Sequence, residues 1–210
     1  MKNIHSTAMP TVAVIEDDAA MRDSIEFLLR SVGYSTIGFP SASAFNPTEM
    51  TDRPNCLIID VRLPGISGLD FQAQLAKAGV NIPIVFVSGH GDIPMASRAM
   101  KAGAIDFLAK PFRDQDLLDA VAAAIDRNRV STEQETTRSK LQSLFGSLTV
   151  REQAVAAHVA AGLMNKQIAA KMGLSEVTVK LHRGNAMHKL GARSIADLVR
   201  IVDTLRIPHR

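Results

Sequence analysis

Cysteine is almost missing: Cys56 is the single thiol in 210 residues. That excludes an internal disulfide framework and any cysteine-rich metal cage, and a reducing compartment is the simpler setting. Long apolar runs are missing as well. None approaches the roughly 18 residues that a membrane span requires, so no membrane partner is expected. Residues 1–11 contain Lys2, Asn3, His5 and Ser6 without a hydrophobic block, which predicts no secretory leader and a soluble cytoplasmic protein. What is present is ordinary, since 46% hydrophobic and 21% charged residues exclude wholesale disorder. A chain of this length makes one or two domains.

Charge is divided unevenly. Residues 1–130 carry 12 basic and 15 acidic side chains, whereas residues 131–210 carry 12 basic and 6 acidic. An acidic front and a basic back suggest two modules, the second facing a polyanion. Any two fragments of a chain differ by a few charges, so this pattern alone leaves nucleic-acid binding open.

The front alternates strands and helices. Short β-rich or continuous apolar runs at 11–15, 35–39, 56–59, 82–87 and 104–108 read as five strands. Helical spacing appears at 21–32, 68–78, 94–102 and 114–128, and a short helix interrupted at Pro47 is expected within 41–53. Strands separated by helices demand a parallel sheet covered on both faces. In such a sheet ligand chemistry collects beyond the carboxyl ends of the strands. Those ends carry Glu16-Asp17, Asp60, Ser88 and Lys110. Singly each is unremarkable: an Asp there is ordinarily a cap or turn former, and Lys110 a solvated charge. Together they bring polar groups from four of the five strands to one edge.

That set has a definite chemistry. Two carboxylates a few ångströms apart repel by about 4 kcal/mol at an effective dielectric near 20. Three of them favour a divalent cation, and an all-oxygen donor set selects Mg²⁺. Asp60 can then act as a nucleophile toward a phosphoryl group, with Lys110 and Ser88 holding the other phosphoryl oxygens.

The segments Val14-Ile-Glu-Asp-Asp18, Leu57-Ile-Ile-Asp-Val-Arg-Leu-Pro-Gly65, Val85-Phe-Val-Ser-Gly89 and Lys101-Ala-Gly-Ala-Ile-Asp-Phe-Leu-Ala-Lys-Pro-Phe112 resemble the receiver domain of two-component response regulators. The resemblance spans about residues 11–128. It implies an α/β, CheY-like, doubly wound five-stranded parallel sheet in the order 2-1-3-4-5. It also implies that Asp60 is the phosphoacceptor, that Asp17, Asp60 and the main-chain carbonyl of Arg62 hold Mg²⁺, and that Glu16 assists through water. Glu16 departs from the Asp more usual in the family, a longer side chain that bears on metal affinity or phosphate lifetime. Ser88 and Phe107 match the switch pair, and Lys110-Pro111 a position where the family has a cis peptide. Without the resemblance, Phe107 reads as plain core.

Residues 129–146 have no Pro or Gly before Gly146 and predict a helical linker, with Glu135 and Arg138 at pairing distance. A flexible tether is the alternative. Beyond it, Thr149 and Glu152 stand at capping-box spacing. A helix to residue 161, a short one over 165–172, a turn at Gly173-Leu174 and a third helix from a Ser175 cap to about Leu190 form a helix-turn-helix. On the third helix Val179, Ala186 and Leu190 mark the packed side, with His182 and Met187 beside them. Its basic outer face suits the major groove, although any amphipathic helix shows a similar pattern.

Leu148-Thr-Val-Arg-Glu152, Gly162-Leu-Met-Asn-Lys-Gln-Ile-Ala169 and Val177-Thr-Val-Lys-Leu-His-Arg183 resemble the all-α LuxR-type helix-turn-helix domain over about residues 147–202. With the receiver in front, the chain resembles the FixJ/NarL class, and His90-Gly-Asp-Ile-Pro94 points to the FixJ-like branch with StyR and TodT. The implied domains are a receiver over 1–128, a linker over 129–146 and a DNA-binding domain over 147–210. The resemblance sets Lys180, Leu181 and Gly184 nearest the bases. Lys166, Thr178, Arg183 and Lys189 become candidates for phosphate contacts. Gly184 departs from the larger polar residue of some relatives, so one base contact is in doubt. The expected partners are a histidine kinase, double-stranded DNA, RNA polymerase and a second copy of the chain, through the last helix, on phosphorylation. Two other readings remain open here. One is an Asp-nucleophile phosphatase or phosphotransferase, which leaves the basic unit unexplained. The other is a DNA-binding regulator whose receiver only dimerises.

Overall fold

The computed structural model describes residues 9–47, 50, 52–89, 93–205 and 207. Residues 1–8, and His90, Gly91 and Asp92 of the motif noted above, lie outside the described residues. The chain divides into two compact units, Met1–Ser131 and Thr132–Arg210.

In the first unit, β1 (Thr11–Ile15), β2 (Ser35–Phe39), β3 (Cys56–Asp60), β4 (Ile84–Ser88) and β5 (Asp106–Ala109) form one sheet. All pairs are parallel and the order is β2-β1-β3-β4-β5. Every residue of β3 and β4 is buried, because both faces are covered and neither can be polar. Alternation then decides which core each side chain joins. Leu57 and Ile59 pack with Phe71, Leu75 and Ala99 on one face; Cys56 and Ile58 pack with Ile25, Leu29, Leu117 and Val121 on the other.

The covering helices are α1 (Ala19–Ser31), α2 (Gly68–Lys77), α3 (Ile93–Lys101) and α4 (Asp114–Gly146). Asp18 caps α1 by accepting from the amides of Ala20 and Met21, and Ser67 caps α2 through the amide of Asp70. Two strand positions differ from the sequence reading. β4 starts at Ile84 because Pro83 has no N–H to give the ladder; β5 starts at Asp106, after a turn in which Ala104 N donates to Ala99 O at 3.1 Å.

The helix expected within 41–53 is not formed among the described residues. A single 3₁₀ turn, Ala42–Ala44, stands there, closed by Ala44 N to Ser41 O and Phe45 N to Ala42 O. Pro47 removes a donor and disfavours helix at the residue before it. Thr48, Glu49 and Thr51 lie outside the described residues.

The helix expected over 114–128 and the expected helical linker are one continuous helix of 33 residues, α4. Nothing in its sequence breaks it before Gly146. An Arg129–Asp126 pair at 3.2 Å supports it locally, while Glu135 and Arg138 form no ion pair among the described residues.

The second unit contains α5 (Val150–Ala160), α6 (Asn165–Met172), α7 (Glu176–Leu190) and α8 (Ile195–Thr204). Val155, Ile168, Val179, Ala186, Leu190, Leu198 and Val202 fill its core. The turn between α6 and α7 requires a left-handed residue, supplied by Gly173 at φ 65°. No helix among the described residues is long and apolar enough to cross a membrane.

Candidate functional site

Strand register builds the first site. Ile15 lies opposite Ile59, so Glu16 falls beside Asp60; Asp60 lies opposite Val87, and Ser88 opposite Ala109, so Ser88 and Lys110 flank it from the other side. Carboxylate oxygens of Glu16, Asp17 and Asp60 all lie within 4.8 Å of one another. Glu16 and Asp60 are buried, at 2% and 6% exposure, and Asp17 is exposed.

Lys110 reaches into this cluster. Its Nζ donates to Glu16 Oε2 at 2.5 Å and to Asp60 Oδ2 at 2.6 Å. The other Asp60 oxygen, Oδ1, accepts from the backbone amide of Arg62 at 2.8 Å. The Lys110-Pro111 peptide is cis, and the Lys110 amide donates to the carbonyl of Ser88 at 2.8 Å. Burial raises the carboxyl pKa of Glu16, the Asp60 charge pushes the same way, and Lys110 opposes both. Burial works to lower the Lys110 pKa, but hydrogen bonds and charges from Asp60 and Glu16 outweigh it and hold the pKa above the ordinary lysine value.

Ser88 is fully buried. Phe107 is half-buried, with its ring centroid 6.4 Å from that of Phe86. A cleft of about 600 Å³, lined by Asp17, Arg62, Asp70 and Arg98 among others, opens beside the carboxylates.

The pocket fits a hard divalent cation. Three carboxylates around one ammonium leave a formal charge of about −2, and every clustered donor is oxygen. Sequence reasoning did not anticipate Gly68. A Cβ placed there would stand 2.5 Å from the Asp60 carbonyl oxygen and 2.9 Å from Ile59 Cγ2, so the first residue of α2 must be bare for the helix to seat against the end of β3. The signal was a glycine where an unconstrained helix start would favour almost anything else. Arg22 is a second omission: its Nη1 donates to the Glu16 carbonyl at 2.7 Å, steadying the β1 end.

On α7, Lys180, Leu181 and Gly184 are all exposed, with Leu181 at 62%. Lys166 on α6 is exposed and Thr178 half-buried. Arg183 Nη1 donates to Asn165 Oδ1 at 3.2 Å, tying α7 to α6. Lys189 behaves differently from the other candidates: its Nζ lies 2.7 Å from the buried carboxylate of Glu152. The Thr149–Glu152 capping box is present, each partner bonding the other's amide. Met187 and His182 are half-buried beside the core.

Both halves of the chain match known families. The response regulator receiver domain matches residues 12–122, and the luxR family of bacterial regulatory proteins matches residues 146–202. The chain is a FixJ/NarL-class response regulator. This response regulator is 56% identical over 196 residues to nodulation protein W of Bradyrhizobium diazoefficiens, covering 93% of this chain and 86% of the relative. It is 45% identical over 195 residues to response regulator protein TodT of Pseudomonas putida F1, covering 93% and 86%. Among solved structures it resembles response regulator StyR, with a TM-score of 0.80, 48% identity and coverage of 93% and 99%. Full-length FixJ from B. japonicum matches with a TM-score of 0.57 and 36% identity, covering 96% and 100%. The response regulator is therefore a two-component transcriptional regulator with a LuxR-type DNA-binding domain.

Proposed function

We propose that this regulator receives a phosphoryl group on Asp60 from a histidine kinase and then binds paired promoter half-sites as a dimer. An Asp60 carboxylate oxygen attacks phosphorus, the P–N bond of the kinase phosphohistidine breaks, and the imidazole nitrogen leaves with the bonding pair. Glu16, through water, and Asp17, Asp60 and the main-chain carbonyl of Arg62 would hold Mg²⁺. When bound, the ion neutralises charge on the phosphoryl oxygens. Lys110 supplies an ammonium to one phosphoryl oxygen and Ser88 a hydroxyl to another. Ser88 moving toward the phosphoryl group and Phe107 turning inward form the switch, a local charge change converted into a population shift. Because Phe107 carries no hydroxyl, its inward state strands no polar atom.

The observation that carries this reading is the pair of hydrogen bonds from Lys110 Nζ to Glu16 and Asp60. They set one ammonium between the carboxylates of Glu16 and Asp60, the three groups coming from the ends of three separate strands. At the DNA, Lys180, Leu181 and Gly184 stand nearest the bases, and Lys166, Thr178 and Arg183 meet phosphates. Lys189, the remaining phosphate candidate, already donates to Glu152. The last helix, α8, supplies the dimer contact, and RNA polymerase is the downstream partner.

The test is operator binding by the full chain, with and without a small acyl phosphate and Mg²⁺. Wild type should gain affinity and sediment as a dimer on treatment, and Asp60→Asn should do neither. Equal gain by both proteins would refute the phosphorylation step and support a receiver that only dimerises.

A further inference from the structure

One carboxylate oxygen joins the two ends of the DNA-binding unit's main helix pair. Glu152 Oε2 accepts from the Thr149 amide at 2.9 Å and from Lys189 Nζ at 2.7 Å. Glu152 is 3% exposed and lies in the first turn of α5; Lys189 lies in the last turn of α7, 37 residues away in sequence. Each charge also suits the helix end that carries it, an acid at an amino terminus and a base at a carboxyl terminus. The Lys189 ammonium and the Thr149 amide together hold the Glu152 carboxyl below the ordinary carboxylate range, as expected of a group kept ionised.

We propose that Lys189 is a positioning residue rather than a phosphate contact: with Glu152 it forms a clamp that fixes the angle of α7 on α5, and so the depth at which Lys180 and Leu181 meet the bases. The inference rests on the reading of α7 as the helix that enters the major groove. Nine residues at 1.5 Å each put Lys180 about 13 Å from the clamp. A small tilt at the pinned end is therefore felt at the bases. Pulling the ammonium onto a phosphate would leave the Glu152 carboxylate buried without its cation, which is the costly way to break such a pair. Lys166, which has no ion pair among the described residues, carries no such penalty.

Four variants of the full chain separate clamp from contact: Lys189→Met, Lys189→Arg, Glu152→Gln and the double substitution of Lys189→Met with Glu152→Gln. The probe is a duplex selected from a random-sequence pool by the wild-type protein with phosphodonor present, and far-UV circular dichroism verifies that each variant is folded. For a clamp, Lys189→Met and Glu152→Gln each weaken binding about fivefold or more, and the double variant is no worse than either alone. The slope of log affinity against log salt stays at the wild-type value, because no phosphate contact is lost. Preference at the bases read by Lys180 blurs in Lys189→Met, and Lys189→Arg restores it.

A phosphate contact gives the opposite pattern. Lys189→Met would flatten the salt slope by about one per protomer with base preference intact, and Glu152→Gln would tighten binding by freeing the ammonium. Either result overturns the clamp while leaving the groove-binding reading standing. Failure of the wild-type protein to enrich any duplex would remove that reading, and the clamp with it.

Discussion

Lys110 Nζ stands 2.6 Å from Asp60 Oδ2, although 50 residues separate them in sequence. Parallel pairing of β3 with β4 and of β4 with β5 brings the two chain segments to the same sheet end. The same ammonium also holds Glu16, so one cation serves two buried carboxylates while the third, Asp17, faces solvent. The deficit of positive charge sets the behaviour of the whole edge.

Magnesium should therefore stabilise the first unit. With free Mg²⁺ at about a hundred times its Kd, linkage gives about 2.7 kcal/mol, a rise in Tm of several degrees. Asp17→Asn removes one carboxylate and should abolish most of that rise without unfolding the protein. Differential scanning fluorimetry against Mg²⁺ concentration reads it directly, and an equal rise in the variant would count against the assigned ligands.

Gly68→Ala should disturb the same edge from beneath. The added methyl meets the Asp60 carbonyl at 2.5 Å, and relief requires the start of α2 or the end of β3 to move. A loss of about 1–3 kcal/mol is expected for such overpacking, together with slower acceptance of a phosphoryl group. Chemical denaturation and a phosphorylation time course check the two effects separately.

Acid should weaken the second unit through Glu152. Its carboxyl pKa is depressed in the folded protein by the Lys189 ammonium and the Thr149 amide. The folded state thus binds fewer protons than the unfolded one between the two pKa values. The associated stability is complete above the ordinary carboxylate pKa of about 4.3 and is lost as pH falls through the depressed folded value. Thermal melts from pH 6 down to pH 2.5 should show a falling Tm that is shallower in Glu152→Gln. Parallel curves would show that the pair does not link folding to protons.

Lys180→Ala should cost about 1–3 kcal/mol at one base position and relax specificity there. Operator affinity of the wild-type protein should fall by about 10³–10⁵ between 50 and 200 mM salt if a dimer makes 6–10 phosphate contacts. Binding to a panel of single-base operator variants at several salt concentrations measures both. A uniform loss across the panel would make Lys180 a phosphate contact.

Much of this architecture was legible because burial on both sheet faces leaves a strong mark. The continuous apolar runs 56–59 and 82–87 read as buried parallel strands, and the polar residues that end them fall at the chemical edge. Capping chemistry was equally plain in Thr149 with Glu152 and in Ser175. The segment around Pro47 was only half legible: a short helix interrupted at Pro47 was expected within 41–53, and one 3₁₀ turn over Ala42–Ala44 is what forms among the described residues. The helical character of 129–146 was legible from the lack of Pro or Gly before Gly146; that it runs on unbroken from the preceding helix was not, since polar composition also fits a tether. At the sites, the polar residues at the carboxyl ends of four strands identified Glu16, Asp17, Asp60, Ser88 and Lys110 as a set. Contacts between distant elements stayed hidden: the glycine at 68 marked a tight place without naming Asp60 as the neighbour, and the pairing of Lys189 with Glu152 leaves no local pattern.

The most direct measurement is covalent. The full chain is treated with a small acyl phosphate and Mg²⁺, the phosphoryl group is counted by intact mass, and the modified residue is located by peptide mass spectrometry after reductive trapping of the acyl phosphate. One phosphoryl group on Asp60 of the wild-type protein, not formed when the metal is chelated beforehand and absent from Asp60→Asn, is the predicted result. A label of the same stoichiometry in Asp60→Asn, or one carried on another side chain of the wild-type protein, would contradict it.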